Sequence, residues 1–531
     1  MLSHGWRRFL LLLVAGALAG LGVPPLFIVP ALFVSFPILV WCLDGAERRK
    51  TVLRRLFGPA FRCGFAFGLG YFLVAFHWLG AAFFVDGGVM LAVMPFAIAA
   101  LAALIALFWG FGAALAHLFW SDGAWRIVTL ATFLGLAEWA RGHLFSGFPF
   151  DLVGYALTAN DEMMQLTSVI GIYGVTLLTL LLAMTPALIW PPDQRGLTRR
   201  LVPFFLSLVV IAGQVAYGNY RLAATPVAEM AGIKLRLVQP LVYEHADWRR
   251  ADPGTVIDQL IALSETQLSP DDPGLAGVTH LVWPESSLPF FFSEYPEALG
   301  RIGRMLPDGV TLLTGAPRED YGEDGLPVQG SPGYNALLAI DTNGEVVASY
   351  DKSHLVPFGE FLPFQSFFAS LGIKQFVPGA NGWAPGDGRR LISAPGTPLF
   401  LALICYEAIF SGDLGAGIDK AQFMLNISND AWFDGSIGPA KHAHHARVRA
   451  VEEGIALVRA TNSGISFLAD PLGRITAHLT PLQTAVMDVV PAQRLASTVF
   501  AQYRHWPFWG ALALGLAIAL VSSRHRRRRK A

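Results

Sequence analysis

Cysteine is scarce in this chain, which has three among 531 residues: Cys42, Cys63 and Cys405. Their spacing fits neither a disulfide framework nor a cysteine metal site. Three histidines lie close together, but they offer one pair on a single helix face and no third ligand of known placement. These are His442, His444 and His445. The sequence therefore predicts no bound metal.

Charge is scarce as well. Charged residues make up 15% of the chain, the formal net charge is zero, and hydrophobic residues make up 53%. Together with a mean hydropathy of +0.47, this composition is typical of a membrane protein. The basic tail, residues 524–530, can in principle bind RNA, but a tail that directly follows an apolar segment more often marks the cytoplasmic end of a helix. We predict no nucleic-acid partner.

Long apolar segments are abundant in residues 1–218, and one more precedes the tail. Most of them approach the ~20 residues that a helix needs to cross a bilayer. We predict a transmembrane helical domain over 1–218 with about seven spans, and a C-terminal transmembrane helix with a basic cytoplasmic tail over 506–531. The predicted spans are 8–24, 26–43, 62–80, 90–119, 126–142, 169–190, 201–218 and 507–523.

Basic residues between these spans set the expected orientation. They lie at 48–55, at Arg126 and at 195–200, whereas the loop 80–90 has no lysine or arginine. Because loops rich in lysine and arginine face the cytoplasm, the pattern predicts both termini inside and residues 219–505 outside. Cys405 would then be the one thiol outside the cytoplasm.

Two ionisable residues fall at membrane depth in the fifth span. Glu138 and Arg141 are three positions apart, so they can pair on one helix face. Ionisable residues at this depth are usually functional or paired. We favour structural pairing here.

Residues 219–505 change character. Short runs typical of strands alternate with polar connections rich in proline and glycine, and a helix is expected over 441–454. This mixture predicts a layered α/β domain. The expected strands are 234–239, 279–283, 310–315, 336–340, 345–350, 399–404, 423–427, 457–461, 466–469 and 485–489.

One of these runs ends abruptly at Cys405, which is followed by Tyr406 and Glu407. A thiol at the end of a buried strand can be aimed into a cleft while its backbone stays rigid, as a nucleophile requires. Taken alone, the segment fits a buried core cysteine better, since free cysteine is among the most buried residue types.

Two other strand ends favour the nucleophile. Trp283-Pro284-Glu285 ends one run, and Tyr350-Asp351-Lys352-Ser353-His354 ends another. A carboxylate can take the proton of a thiol, so Glu285 is the candidate base. A fixed ammonium can stabilise an oxyanion, so Lys352 is the candidate donor, although in isolation it would be read as a solvated surface lysine. Glu360, in a Pro-Phe-Gly-Glu turn, can orient Lys352 or relay a proton.

Other polar residues remain ambiguous. The stretch 426–433 and the pair Tyr334-Asn335 can either build turns or line the cleft. We expect Glu452 and Glu453 to be partly solvated, and the alternative is that one of them faces the cleft.

The order Glu…Lys…Cys, with the strings around it, resembles the nitrilase (carbon–nitrogen hydrolase) superfamily. Over nearly the whole chain, the membrane region, the domain outside the cytoplasm and the final span are similar to the apolipoprotein N-acyltransferase family. The carrying strings are Glu138-Trp139, Arg141-Gly142, Phe145-Ser146-Gly147-Phe148-Pro149, Trp283-Pro284-Glu285, Asp351-Lys352, Pro357-Phe358-Gly359-Glu360 and Cys405-Tyr406-Glu407. An aromatic residue expected after Pro439 is absent.

The resemblance implies an αββα nitrilase-like sandwich over 219–505. It implies a catalytic triad of Glu285, Lys352 and Cys405, with Glu360, Tyr406 and Glu407 assisting. It also suggests substrate-binding roles for Glu452 and Trp248. Independently of the resemblance, Asn335 is a candidate substrate-binding residue if it lines the cleft. The implied location is a bacterial inner membrane, with the catalytic domain on the periplasmic side.

The implied reaction has two steps and no cofactor. Cys405 takes a fatty acyl chain from a phospholipid, and the α-amino group of a diacylglyceryl-cysteine at the N-terminus of an apolipoprotein then attacks the thioester. One alternative is a membrane-anchored amidase or nitrilase that passes the acyl group to water. A transporter with an outer binding domain is disfavoured, because the spans carry few intramembrane charges.

Two aromatic segments follow catalytic positions closely, at 290–292 and 361–368. They can pack into the α/β core, but nearby prolines and the lack of a clean strand or helix period argue against it. We predict that they form loops at the membrane surface, with Phe291 and Phe364 contacting acyl chains.

Overall fold

The computed structural model describes residues 5–47, 51, 53, 56–190, 196–242, 252–324, 326–328, 330–362, 370, 383–415 and 417–530, with the backbone only for 86 and 525–530. Trp248 and Phe364 lie outside the described residues. The chain divides into two compact units. One is Met1–Thr225 with Thr498–Ala531, and the other is Pro226–Ser497.

The first unit is helical, and each predicted span contains a helix. The longer helices before the second unit are α1 (Trp6–Gly20), α2 (Pro30–Asp44), α3 (Pro59–Phe76), α4 (Met90–Leu118), α5 (Trp125–His143), α6 (Thr167–Ala183) and α7 (Leu197–Ala224). Single turns lie at Phe83–Asp86, Asp161–Met164 and Val499–Tyr503, and the C-terminal helix covers Trp506–Lys530. Helix α7 continues past residue 218, where the predicted span ended.

Five helical segments among the described residues are long and apolar enough to cross a membrane. They are Pro59–Val85, Met90–Leu118, Thr167–Leu188, Leu197–Ala224 and Trp506–Arg524. Helices α1 and α2 have 15 residues each, about 22 Å of helix, which is shorter than the ~30 Å hydrocarbon core. Helix α5 is long enough, but it carries buried Arg126, Glu138 and Arg141.

Close packing of α1 on α3 depends on two glycines. A Cβ at Gly16 would lie 1.8 Å from the Phe67 carbonyl oxygen, and one at Gly70 would lie 1.9 Å from the Leu13 carbonyl oxygen. Small residues of this kind let helix backbones approach closely within a membrane. Any larger side chain at either position would push the two helices apart.

The predicted pairing of Glu138 with Arg141 is confirmed. Arg141 Nε donates to Glu138 Oε1 at 2.6 Å, and both side chains are fully buried. Arg141 Nη1 also donates to the carbonyls of Phe148 and Phe150 at 2.6 and 2.9 Å. The pair therefore ties the end of α5 to the loop that follows it.

The second unit contains twelve strands among its described residues, in two six-stranded sheets. The first sheet has the order β12-β1-β2-β3-β4-β5, and the second has the order β11-β10-β9-β8-β7-β6. The strands are β1 (Leu235–Gln239), β2 (His280–Trp283), β3 (Thr311–Arg318), β4 (Tyr334–Ile340), β5 (Val346–Asp351), β6 (Leu391–Ile392), β7 (Phe400–Ile404), β8 (Phe423–Ser428), β9 (Ala456–Thr461), β10 (Phe467–Ala469), β11 (Ile475–His478) and β12 (Ala485–Val489).

Helices cover both outer faces of the paired sheets. They are α8 (Pro253–Ser264), α9 (Glu297–Met305) and α10 (Gly438–Glu453). One core joins the inner faces of the two sheets and continues to α10, and a second core packs α8 and α9 on the first sheet. The layers are therefore helix, sheet, sheet, helix, as predicted.

The sheet topology brings strand ends together. Strands β1, β2 and β3 are parallel, as are β7, β8 and β9. The carboxyl ends of parallel strands meet at one edge of a sheet. Glu285 lies just beyond β2, Cys405 directly after β7 and Asn429 directly after β8, so polar residues collect at these edges.

Candidate active site

Cys405 occupies a strained turn. It opens a short 3₁₀ helix, Cys405–Ile409, immediately after β7. Its φ is 50°, a left-handed backbone conformation that costs a non-glycine residue about 1–3 kcal/mol. The residue is partly exposed, whereas Cys42 and Cys63 are buried. Backbone strain of this size clusters at active sites, so it is consistent with the predicted role of Cys405 as the nucleophile.

The surroundings of the thiol favour its protonated form. Burial, and then the negative charge of Glu285, raise the pKa of Cys405, and the positive charge of Lys352 opposes them. The Ser428 hydroxyl lies within hydrogen-bonding range of the same thiol. Because the thiolate is the reactive form, a base must remove this proton during the reaction.

Glu285, the predicted base, lies within electrostatic range of the thiol. It is buried, with 4% of its surface exposed, and Ser286 beside it has a φ of 57°. The backbone N–H of Asn429 donates to Glu285 Oε2 at 2.7 Å. Lys352 Nζ and Asn335 Nδ2 both donate to Oε1, at 3.1 and 2.7 Å. A carboxylate held by three donors has one fixed orientation.

Lys352 is buried between two carboxylates. Its Nζ lies 3.1 Å from Glu285 Oε1 and 2.9 Å from Glu360 Oε1. Burial alone would lower the pKa of Lys352, but the charges of Glu285 and Glu360 outweigh it and hold the pKa well above its usual value. Lys352 is therefore a fixed ammonium, suited to stabilising an oxyanion.

Glu360 orients this ammonium. Its Oε2 accepts from the backbone N–H of Val356 at 2.9 Å, and its Oε1 accepts from Asn335 Nδ2 at 2.9 Å. Asn335 therefore bridges Glu285 and Glu360, as Lys352 does. Of the two predicted roles of Glu360, the contacts support orientation of Lys352. For Asn335 they support a place in the cleft rather than in a turn.

Glu407 connects the two sheets at the site. Its Oε1 accepts from the Tyr350 hydroxyl at 2.8 Å and from the backbone N–H groups of Ser353 and His354 at 2.9 and 3.1 Å. Its Oε2 accepts from the backbone N–H of Ile404 at 2.8 Å. One fully buried carboxylate thus holds the segment after Lys352 against the residue before Cys405.

The remaining predicted residues take different positions. The Tyr406 ring is buried against Phe410, with ring centroids 5.1 Å apart. Phe291 is partly exposed, and its ring tip lies 3.2 Å from the position of a Cβ on Gly333, two residues before Asn335.

The prediction of surface loops at 290–292 is wrong for two of the three phenylalanines. Phe290 and Phe292 belong to the core beneath the first sheet and are 7% and 9% exposed. Their rings pack edge to face, 6.4 Å apart. The chain forms a turn here instead of a regular strand or helix. The side chains of Phe290 and Phe292 can therefore both point into the core.

The expected partial solvation of Glu452 and Glu453 is also wrong, because both are fully buried. Glu452 accepts from the Ser411 hydroxyl at 2.9 Å and pairs with Arg449 at 2.9 Å. The described contacts do not bring its carboxylate to Glu285, Lys352 or Cys405. Its charge is balanced within the fold.

The sequence did not predict a buried hydrogen-bond network next to Cys405. Arg459 Nη2 donates to both oxygens of Asp430, at 3.1 and 2.9 Å, and His442 Nδ1 lies 3.0 Å from Asp430 Oδ1. His442 Nε2 lies 3.1 Å from the Cys405 carbonyl oxygen. The cluster of polar residues in 426–433 was the one indication of this network in the sequence. It did not reveal that Arg459 and His442 would be the partners of Asp430.

Taken together, the facing sheets and the Glu–Lys–Cys site define a carbon–nitrogen hydrolase type of domain. In agreement, residues 275–495 match the family profile described as Carbon-nitrogen hydrolase. Residues 15–185 match the profile described as Apolipoprotein N-acyltransferase N-terminal domain.

Curated relatives match this chain over nearly its whole length. An apolipoprotein N-acyltransferase of Rhodopseudomonas palustris is 39% identical, over 99% of this chain and 97% of its own. Those of Bradyrhizobium diazoefficiens and Brucella suis are 38% and 39% identical, over 99% and 96% of this chain and 97% and 92% of their own. The chain belongs to the apolipoprotein N-acyltransferase family.

Membership of this family confirms the predicted fold class and the prediction of an acyltransferase enzyme. The five apolar helices and the bacterial relatives together fit a bacterial membrane protein.

Proposed function

We propose that the enzyme moves a fatty acyl chain from a phospholipid to the α-amino group of an apolipoprotein's N-terminal diacylglyceryl-cysteine, through a thioester on Cys405. The observation that carries this proposal is a partly exposed thiol on a strained turn, in electrostatic range of a buried carboxylate and a buried ammonium. Glu285, Lys352 and Cys405 are the proposed catalytic residues. Glu360 and Glu407 position them.

In the first half-reaction, Glu285 takes the proton of Cys405 as the sulfur attacks the ester carbonyl of the phospholipid. The carbonyl oxygen becomes an oxyanion, which the ammonium of Lys352 stabilises. The carbon–oxygen bond of the ester then breaks. Glu285 returns the proton to the departing oxygen, and a lysophospholipid leaves while the acyl group stays on sulfur.

In the second half-reaction, the neutral α-amino group of the acceptor attacks the thioester carbonyl. Glu285 removes the amine proton, a new carbon–nitrogen bond forms, and the carbon–sulfur bond breaks. The proton passes to the sulfur and regenerates the thiol. A thioester suits this role because it is reactive enough to acylate an amine.

The purified protein with acyl-labelled phospholipid and a diacylated lipopeptide tests this assignment. We expect the label to appear in an amide on the peptide. When the peptide is left out, we expect little labelled free fatty acid. Release of labelled fatty acid at the same rate with or without the peptide would instead identify a hydrolase that uses water.

We propose that Phe291 contacts the acyl chain. Its ring is partly exposed beside Gly333, whereas Phe290 is buried. Phe291→Ser should therefore weaken the use of long-chain phospholipid more than the use of a short-chain soluble ester. The serine variant buries less apolar surface against a long acyl chain than the unaltered enzyme does, and a short chain loses little by the change. Steady-state kinetics with both donors measure the ratio.

The control is Phe290→Ser, which should lower the melting temperature and affect both donors alike, since it opens the core. If Phe291→Ser also affects both donors equally, Phe291 has no role in chain binding.

We further propose that residues 1–218 and 506–531 hold the protein in the inner membrane with both termini in the cytoplasm. Residues 219–505 then carry out the reaction on the periplasmic side. This proposal rests on the basic loops at 48–55 and 195–200. Reporter fusions at Asp324 and after Lys530 should report opposite sides of the membrane. A signal from the same side for both fusions would refute the proposed orientation.

A further inference from the structure

Arg389 is a buried cation two residues before β6, which is an edge strand of the second sheet. Its side chain is 4% exposed. Among the described residues, neither Nη1 nor Nη2 of Arg389 has a hydrogen-bond acceptor. A buried donor has given up its hydrogen bonds to water, so it destabilises the fold unless another group accepts from it. These two nitrogens therefore need a further acceptor.

The ion pair that Arg389 makes with Asp413 does not supply this acceptor. Asp413 Oδ2 lies 3.3 Å from Arg389 Nη1, which is close enough for attraction, but the geometry does not give a hydrogen bond. The Asp413 side chain is 62% exposed, so it stays in contact with water and can turn away from Arg389 at little cost. Asp413 therefore occupies a position that another anion can take.

The loop that carries Asp413 packs directly on the backbone of Arg389. Gly412 and Gly415 in this loop have φ values of 73° and 83°. A Cβ on Gly415 would lie 2.5 Å from the Arg389 carbonyl oxygen, so glycine is what lets the loop come this close. Leu414 is buried and anchors the loop. The loop can therefore keep its position when the exposed Asp413 side chain turns.

An aromatic ring connects Arg389 to the turn that holds Cys405. Arg389 Cζ lies over the Phe410 ring, 5.3 Å from its centroid. The Phe410 ring packs in turn against the rings of Tyr406 and His354, with centroids 5.1 and 4.0 Å apart. A ring face attracts a positive charge but is only a weak hydrogen-bond acceptor, so this contact does not replace the acceptor that the Nη groups lack.

A phosphate group has the chemistry that these features require. The planar guanidinium donates in a fork that matches phosphate oxygens, which accept two N–H groups at once. Arg390 adds a second positive charge at the next position, where its Nη2 donates to the Ser349 carbonyl oxygen at 2.8 Å. A phospholipid, the proposed acyl donor, carries its phosphate close to its ester bonds, and Phe410 places Arg389 beside the turn that holds Cys405.

We propose that Arg389 anchors a binding site for a phosphate group, which displaces Asp413 and accepts hydrogen bonds from Nη1 and Nη2. The phosphate can come from two sources, the phosphodiester of a phospholipid headgroup or free inorganic phosphate. The binding itself does not require the acyl transfer proposed above, so a failure of one proposal is distinct from a failure of the other.

Two probes, inorganic phosphate and glycerophosphoethanolamine, test the proposal on the full-length protein in a phosphate-free detergent. The second probe is a soluble phospholipid headgroup without acyl chains, and phosphorus NMR line broadening gives a Kd for each. Arg389→Met, which is similar in length but uncharged, should weaken binding by about 10-fold or more, because the charge-assisted hydrogen bonds are lost. Asp413→Asn removes the competing charge and should tighten binding by up to about fivefold.

The matched control is Arg474→Met, which removes an arginine that pairs with Asp470 in the same unit. It should leave both Kd values unchanged. The two probes also identify the source of the phosphate. Binding of glycerophosphoethanolamine at least as tight as that of inorganic phosphate would point to a lipid headgroup, and tighter binding of inorganic phosphate would point to the free ion.

Four results would overturn the proposal, and each would leave water as the acceptor at Arg389. They are no binding of either probe, an unchanged Kd in Arg389→Met, a Kd that does not fall in Asp413→Asn, and an equal loss of binding in Arg474→Met. If Arg389→Met does not fold, Arg389→Lys, which keeps the charge but not the fork, takes its place and should also weaken binding. If neither folds, tighter binding in Asp413→Asn decides the question alone.

Discussion

Replacing Cys405 by alanine should abolish acyl transfer, leaving no product above background in the phospholipid and lipopeptide assay. In the proposed mechanism, the sulfur carries the acyl group between the two half-reactions. Mass spectrometry of the unaltered enzyme with phospholipid alone should find an acyl adduct on the peptide that contains Cys405. The alanine variant should carry none.

The other two cysteines provide controls. Cys42 and Cys63 are buried in the helical unit, so Cys42→Ala and Cys63→Ala should retain most of the transfer activity. Full activity in Cys405→Ala, or an acyl adduct on Cys42 or Cys63 in the unaltered enzyme, would refute a thioester at Cys405.

Lys352→Met should slow acylation of Cys405 by about 10²–10³-fold, because the oxyanion loses its charged donor. Methionine is close to lysine in length, so the buried space stays filled. Asn335 continues to donate to Glu285 and Glu360, which limits the disturbance to the fold. Rapid-quench measurement of thioester formation gives the rate, and circular dichroism checks the fold.

The matched control for this charge removal is Lys420→Met. Lys420 is exposed in the same unit, and its replacement should leave the acylation rate unchanged. If Lys352→Met acylates at the rate of the unaltered enzyme, Lys352 is not an oxyanion donor. If it loses its fold, the lysine serves mainly to balance the two buried carboxylates.

The sequence was sufficient to locate the three proposed catalytic residues at strand ends. Glu285 and Cys405 follow short apolar runs that form fully buried strands, and such strands have this appearance in any sequence. The strand before Lys352 is partly exposed, and its valines and tyrosine are typical of strands. The two strands that were not predicted have weaker patterns. Strand β6 has two residues, and the residues of β11 are largely exposed.

The partners of these residues could not be predicted, because their contacts come from tertiary structure. The N–H of Asn429 that holds Glu285 is a backbone group, which every residue but proline has. Arg459 lies in a strand and is fully buried, although arginine is rarely buried unless it is paired. Asp430 provides that pairing, and no local pattern connects the two positions.

The errors had the same origin. Glu452 and Glu453 were expected to meet solvent because glutamate usually does, but α10 packs into the core of the second sheet. Phe290 and Phe292 lacked a regular period, and packing against α8 and α9 decided their position instead.

The pairing of β1 with β12 also bears on how the enzyme is made. Leu235 is opposite Val489, so the first and last strands of the unit are neighbours. Lys352 follows a strand of the first sheet and Cys405 a strand of the second. Contacts between such distant positions form late and slowly. We therefore expect a growing chain to stay unreactive toward lipid until its last strand has paired, so that the proposed acylation of Cys405 takes place only in the complete domain.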